Sequence, residues 1–210
     1  MAERSAVTHR LGVLIEEAAE CTRCPTMAGR SRVLGARNGS PFARCLVVAE
    51  APGRLGASLT GVPLRGDRTG DNFDSLLEGA GIDRADLFIT NAVLCTPKER
   101  TQRSRPPSKA EVARCTYFLR NLIFVIGPAI VVTLGSTALA ATEAIEGHGL
   151  LLKWNAGSVH RWYGRFLLPL YHPGARAMIQ RSLAEQQRDY AEWGALLRSA
   201  KEAPRTREAE

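Results

Sequence analysis

The stretch from Cys45 to Leu77, CLVVAEAPGRLGASLTGVPLRGDRTGDNFDSLL, decides how the rest of the chain is read. Cys45 to Ala49 are apolar, β-rich and too few for a helix, so they predict a buried strand of a parallel sheet. Glu50 stands where that strand ends. Pro52 and Gly53 turn the chain out of line, and Phe73, Leu76, Leu77 and Ala80 then recur at helical spacing. A strand, a glycine-rich loop and a helix put Glu50 at the carboxyl edge of an α/β sheet. Ligands bind at that edge, and the glycines let backbone N–H groups approach a polar or anionic ligand closely. Taken alone, the stretch fits an ordinary βα turn with an exposed glutamate equally well. It contains neither GxGxxG nor a P-loop pattern, so it does not support a dinucleotide or nucleoside triphosphate site.

Outward from this stretch, strand and helix patterns alternate along 210 residues, which predicts one α/β domain. The fold expected is a three-layer sandwich with a central four-stranded parallel sheet flanked by helices. An N-terminal helix and ligand segment (1–43) precede the sheet, and a frayed tail follows from about residue 202. Toward the N-terminus, Leu11, Leu14, Ile15 and Ala18 mark one face of a first helix running to about Glu20. Pro25 to Ala43 reads as a loop, with Arg30 and Arg32 as candidate phosphate contacts. Toward the C-terminus, Asp86 to Val93 reads as a second strand with Asn91 near its end. A basic linker follows, with Lys98, Arg100, Arg103 and Arg105. Ser108 and Glu111 form a capping box that starts a helix ended by Gly127, and Ile130 to Leu134 is a third strand leading into a helix at Gly135-Ser136. Gly147 to Gly164 reads as loop. Phe166 to Tyr171 is the fourth strand, with His172-Pro173-Gly174 at its end and a last helix expected from Pro173 to about Ala200.

Lys and Arg outnumber Asp and Glu by 28 to 21, a formal charge of +7, which fits a polyanionic partner. No run approaches the ~20 apolar residues of a membrane-spanning helix, and MAERSAVTHR lacks the apolar core of a signal peptide. A cytoplasmic protein that does not engage membranes is expected. Five cysteines without export signals argue against a disulfide framework. Cys21-x-x-Cys24 brings two thiols within reach of one metal, and Cys95 and Cys115 lie at the edges of two other elements, so the four can close a thiolate site. Zn²⁺ and an iron–sulfur cluster remain open on spacing alone. Cys45, inside the first strand, reads as a buried apolar residue.

Five segments, taken in order, resemble the iron–sulfur uracil-DNA glycosylases called family 4, with features of family 5. AEAPG (Ala49 to Gly53) resembles the first motif, and TGVPLRGDRTG (Thr60 to Gly70) the loop that follows it, its GDRTG portion being closer to family 5. TNAVLC (Thr90 to Cys95), VVTLGSTAL (Val131 to Leu139) and LYHPG (Leu170 to Gly174) complete the set. The chain departs from the pattern at Arg54-Leu55-Gly56-Ala57, which replace acidic residues, at Leu64 in place of a base-stacking phenylalanine, and at Gly174 in place of serine.

The resemblance implies a monomeric DNA-repair enzyme that acts on uracil-containing DNA, single- or double-stranded, and carries a [4Fe–4S] cluster on Cys21, Cys24, Cys95 and Cys115. Glu50 and His172 are then the expected catalytic residues, one serving the sugar cation and the attacking water, the other the departing base. Asn91, Ala51, Gly53 and Leu64 are expected to hold the base, Asn91 reading uracil because its amide both donates and accepts. Base flipping requires a residue to fill the gap, expected in Ala175 to Met178, with Arg176 on phosphate or in the minor groove and Met178 either an apolar wedge or, at least as readily, a core residue of the last helix. Arg100 and Arg103 are expected backbone contacts, with Arg105, Lys153, Arg161 and Arg165 as further candidates. Competing readings are a uracil-DNA binding or trapping protein of the same fold, disfavoured because Thr96 to Ser108 has no histidine, and a non-catalytic iron–sulfur nucleic-acid-binding protein.

Overall fold

The structure is a computed structural model that describes residues 2–97 and 105–202. Arg100 and Arg103 lie outside the described residues. The chain opens with α1 (Ala2–Ala19) and enters the sheet at β1 (Cys45–Ala49). It continues through a single turn α2 (Ala57–Thr60), α3 (Arg68–Gly79), β2 (Leu87–Asn91), α4 (Lys109–Ile126), β3 (Ile130–Leu134) and α5 (Ser136–Glu143). A short α6 (Leu152–Asn155), β4 (His160–Trp162), β5 (Arg165–Leu170) and α7 (Leu183–Glu202) complete it.

The sheet has the order β2-β1-β3-β5-β4, parallel except for β4. The expected four parallel strands are therefore present, with a fifth, antiparallel strand at one edge. That strand was hidden in the segment read as loop. Tyr163 and Gly164, at φ +48° and +67°, make a two-residue hairpin turn with both residues left-handed, a turn usually announced by Asn-Gly. The same segment also contains α6.

Alternation along the strands sorts the core into two layers. Leu46, Val48, Phe88, Val131 and Leu167 face α1, α4 and α5. Cys45, Val47, Leu87, Ile89, Ile130, Val132 and Leu168 face α3 and α7, where Phe73, Tyr190 and Trp193 pack edge to face. Every residue of the parallel strands β1, β2 and β3 is buried, which explains why these strands read as mainly apolar runs without polar alternation.

Local chemistry sets the helix ends. Asp67 accepts from the Gly70 amide to start α3, and Ser108 and Glu111 exchange both capping-box hydrogen bonds at α4. Gly127, left-handed at φ +56°, ends α4. The last helix begins ten residues beyond the position expected from Pro173. Its first turn is defined by Ser182 and Glu185, whose side chains and backbone amides pair reciprocally. Ser182-Leu183-Ala184-Glu185 is a capping-box sequence, and the segment before it forms only a 3-10 turn at Ala177–Ile179.

Between β1 and β3 the connections leave in opposite directions, β1 leading to β2 on one side and β3 to β5 on the other. A crevice opens outside the carboxyl ends of strands at such a switch point. Glu50 and Gly135 stand at its two sides.

Candidate active site

One cleft of about 520 Å³ occupies the switch point, within the ~300–1,000 Å³ typical of small-molecule sites. Glu50 follows β1, Asn91 ends β2, Gly135 follows β3 and His172 follows β5, and all four line it. Thus the parallel sheet delivers three chemically capable side chains to one place from positions 50, 91 and 172.

Glu50 is held from two directions. Its carbonyl accepts from the Val93 amide at 3.1 Å, and the preceding Ala49 carbonyl accepts from Ala92 at 2.7 Å, so the loop after β1 runs alongside the exit of β2. Its carboxylate Oε2 accepts from Thr137 Oγ1 at 2.6 Å across the switch point. Thr137 was not singled out from sequence. Its signal was only its place in the first turn of a helix that follows a strand.

Asn91 is 4% exposed, and its Nδ2 has no hydrogen-bond partner among the described residues. An unpartnered buried amide is costly unless a ligand satisfies it, which makes this donor the clearest indication of a missing polar partner. His172 is half-buried in the wall of the cleft. Burial depresses its pKa below the ordinary histidine value, and the carboxylates of Glu50 and Asp67 oppose that shift without reversing it. The Gly174 amide donates to His172 Nδ1 at 3.2 Å, so the neutral ring carries its proton on Nε2. A Cβ at position 174 would stand 3.0 Å from Nδ1, so the glycine accommodates this ring position without crowding.

The loop carrying Leu64 is fastened from behind. Leu64 is left-handed at φ +49°, a conformation that costs a residue with a Cβ ~1–2 kcal/mol. Arg84, from the turn before β2, donates to the carbonyls of Pro63 and Leu64 and to Asp74 Oδ1 of α3 at 2.7 Å. On the other side Gly70 lets the loop lie against α3, since a Cβ there would come within 2.8 Å of the Leu64 carbonyl and the Arg65 Cα. Leu64 is thereby fixed in the wall of the cleft, with Ala51, Gly53, Asp67, Tyr171 and Arg176 among the other lining residues.

A second, smaller cavity collects the cysteines. Cys21 and Cys24 beyond α1, Cys95 beyond β2 and Cys115 on α4 all line it, with Met27, Leu94 and Phe118 as apolar walls and Arg23, Arg32 and Arg114 beside them. The residue 25–43 segment is stitched to the exit of β2 by the pairing of Arg32 with Cys95 and by the Val33 amide on the Leu94 carbonyl at 2.9 Å. That stitching folds the CxxC pair onto the other two thiols. Burial raises the pKa of Cys24, Cys95 and Cys115, the last to about 12, and neighbouring thiols push each of them further the same way. Among the described residues no three His, Cys, Asp or Glu side chains converge as ligands of a single ion. Cys45, by contrast, is wholly buried in β1 with its thiol pKa raised by burial, as its reading as an apolar core residue requires.

A family model described as "Uracil DNA glycosylase superfamily" matches residues 36–194, a span that contains every strand and every residue of the cleft. The chain belongs to the uracil DNA glycosylase superfamily. A type-4 uracil-DNA glycosylase of Thermotoga maritima is 33% identical over 162 residues, covering 77% of this chain and 80% of the relative. The type-4 enzyme of Archaeoglobus fulgidus is 26% identical over 188 residues, 87% and 91% of the two chains. A type-5 uracil-DNA glycosylase of Pyrobaculum aerophilum is 30% identical, with 73% of this chain and 77% of the relative covered.

The segment after His172 carries the two residues expected to meet DNA, Arg176 and Met178. Met178 is half-buried and lines a separate groove with Asn72 and Leu76 of α3, while its neighbour Ile179 is 86% exposed. Arg176 is exposed at the rim of the cleft. No helix among the described residues is long and apolar enough to cross a membrane.

Proposed function

We propose that this superfamily member is a monofunctional uracil-DNA glycosylase: it takes uracil flipped out of DNA, hydrolyses the N-glycosidic bond and leaves an abasic site. The observation that carries the reading is the convergence of Glu50, His172 and the buried, unpartnered Asn91 amide in one cleft. In the flipped state Asn91 accepts from uracil N3–H and donates to O4, a pattern that cytosine cannot match. Leu64, Ala51 and Gly53 pack around the base.

As the bond between N1 of uracil and C1′ of the sugar breaks, positive charge grows on the sugar and negative charge on the base. The Glu50 carboxylate, oriented by Thr137, faces the sugar, stabilises its cationic character and takes up the proton of the attacking water. His172, neutral and protonated on Nε2, donates to a uracil carbonyl oxygen as the anion forms. Water is the nucleophile in this account, because the described lining residues include no lysine whose amine would form a covalent intermediate. Ile179, exposed on the turn after the His172 loop, is better placed than Met178 to fill the vacated stack, with Arg176 beside it for phosphate.

The cysteine cavity supports a [4Fe–4S] cluster on Cys21, Cys24, Cys95 and Cys115. All four thiols line one cavity, and four thiolates without a histidine are a ligand set that such a cluster uses. Such a cluster would supply a covalent tie between the end of α1, the exit of β2 and α4; no catalytic step is assigned to it. The test of the function is a labelled oligonucleotide with one uracil, incubated with the protein, treated with alkali and resolved beside a thymine control. Cleavage at the uracil position alone is expected, and an intact strand would refute the proposal.

A further inference from the structure

The segment that supplies Leu152, Tyr171, His172 and Arg176 to the cleft is basic in sequence. From Gly147 to Ala184 the chain carries no Asp or Glu, while Lys153, Arg161, Arg165, Arg176 and Arg181 fall within that span. In its midst α6 makes a single turn. Its first residue, Leu152, lines the cleft, and two residues on Trp154 is 71% exposed, with Leu151 at 62%. The turn is well built: Leu151 accepts from the Trp154 and Asn155 amides, and the Leu151 amide donates to Asn155 Oδ1 at 2.9 Å. Lys153 places its ammonium 4.6 Å from the indole centroid.

A tryptophan left in water on a short ordered turn has no role in the core. The two other tryptophans, Trp162 and Trp193, are 3% and 0% exposed and pack in the two core layers. An indole with an ammonium near its face, in a sequence span without carboxylates and two residues from a leucine that lines the cleft, has the composition of a stacking platform for nucleic acid. Stacking on an aromatic face requires a base whose own face is free. In duplex DNA the faces are taken by neighbouring base pairs, whereas in a single strand they are available.

We propose that Trp154 is a stacking platform for an unpaired base of the strand entering the cleft, with Lys153 drawn to the adjacent phosphate, and that the protein therefore holds single-stranded DNA more tightly than duplex. This inference rests on the reading of the chain as a DNA glycosylase, and the two can be tested apart. All three tryptophans emit, but Trp154 alone is exposed, so quenching by contact with a bound base reports on it.

Titration with a uracil-free oligonucleotide, single-stranded and as its blunt duplex, should quench emission strongly for the single strand and little for the duplex. Trp154→Ala should abolish that quenching and weaken single-strand binding roughly 5- to 150-fold, the range for one stacked base, with duplex binding unchanged. Trp154→Phe should retain most of the affinity. Equal single-strand affinity in wild type and Trp154→Ala, or no quenching by either DNA, would overturn the platform. Uracil release is measured on the same preparations. Quenching without release would refute the glycosylase and leave the platform standing, and release without quenching would do the reverse.

Discussion

At the scale of single residues, the proposed mechanism divides the work among Glu50, Asn91 and His172, so their substitutions should fail differently. Thr137→Val removes the hydroxyl that orients Glu50 while leaving the charge, and should lower single-turnover cleavage by ~10-fold with DNA affinity unchanged. Asn91→Asp replaces a donor by an acceptor at the base edge, and should weaken uracil excision more than binding of uracil-free DNA. The depressed pKa of His172 has a definite sign. A base that resists protonation in the folded protein destabilises it in acid, so stability should fall as pH drops below ~6.5, the unperturbed histidine value, and this loss should vanish in His172→Gln. Above that pH the ring is neutral, and cleavage should show no histidine titration between about pH 6.5 and 8. Glu50, Asn91 and His172 were legible because each ends an apolar run. Thr137 and Asp67 were not, since a helix-start threonine and an N-cap aspartate have sufficient local reasons to exist.

At the scale of elements, the strand ends and the capping boxes decide what could be read. β1, β3 and α4 were expected within a residue of their observed bounds because apolar runs, Ser108 with Glu111, and Gly127 speak locally. The Tyr163-Gly164 hairpin and the late start of α7 were missed, the first for its unusual turn residues, the second because Pro173 was weighed above the Ser182 capping box. The Leu64 loop was legible in composition but not in conformation. Its left-handed residue is held by Arg84, which sits twenty residues away in sequence. Arg84→Met should free that loop and raise KM for uracil DNA more than it lowers kcat, while Arg84→Lys, lacking the fork, should recover little. The cysteine cavity makes a parallel prediction. Cys115→Ser should lose visible absorbance and about four irons per chain, and lower Tm far more than Cys45→Ser, which removes only a small buried group.

At the scale of the whole molecule, a chain with +7 formal charge places Arg176 and Leu152 in its cleft and leaves Trp154, two residues beyond Leu152, exposed. The cysteine cavity sits beside the exit of β2, and Glu111 links the two regions. Its carboxylate, with the pKa drawn down to about 2 chiefly by Arg105, accepts from Arg105 at the cleft and from Thr26 in the cysteine segment. The net charge predicts that affinity for any DNA falls steeply as salt rises, through release of counterions from phosphate. The most direct test of the central claim is single-turnover release of free uracil from a uracil-containing oligonucleotide by wild type and Glu50→Gln. The account predicts rapid release by the wild type and a rate lower by ~10²-fold or more in the variant at unchanged DNA affinity. Equal rates would contradict it, because Glu50 would then be a loop carboxylate and the cleft's chemistry would have to come from elsewhere.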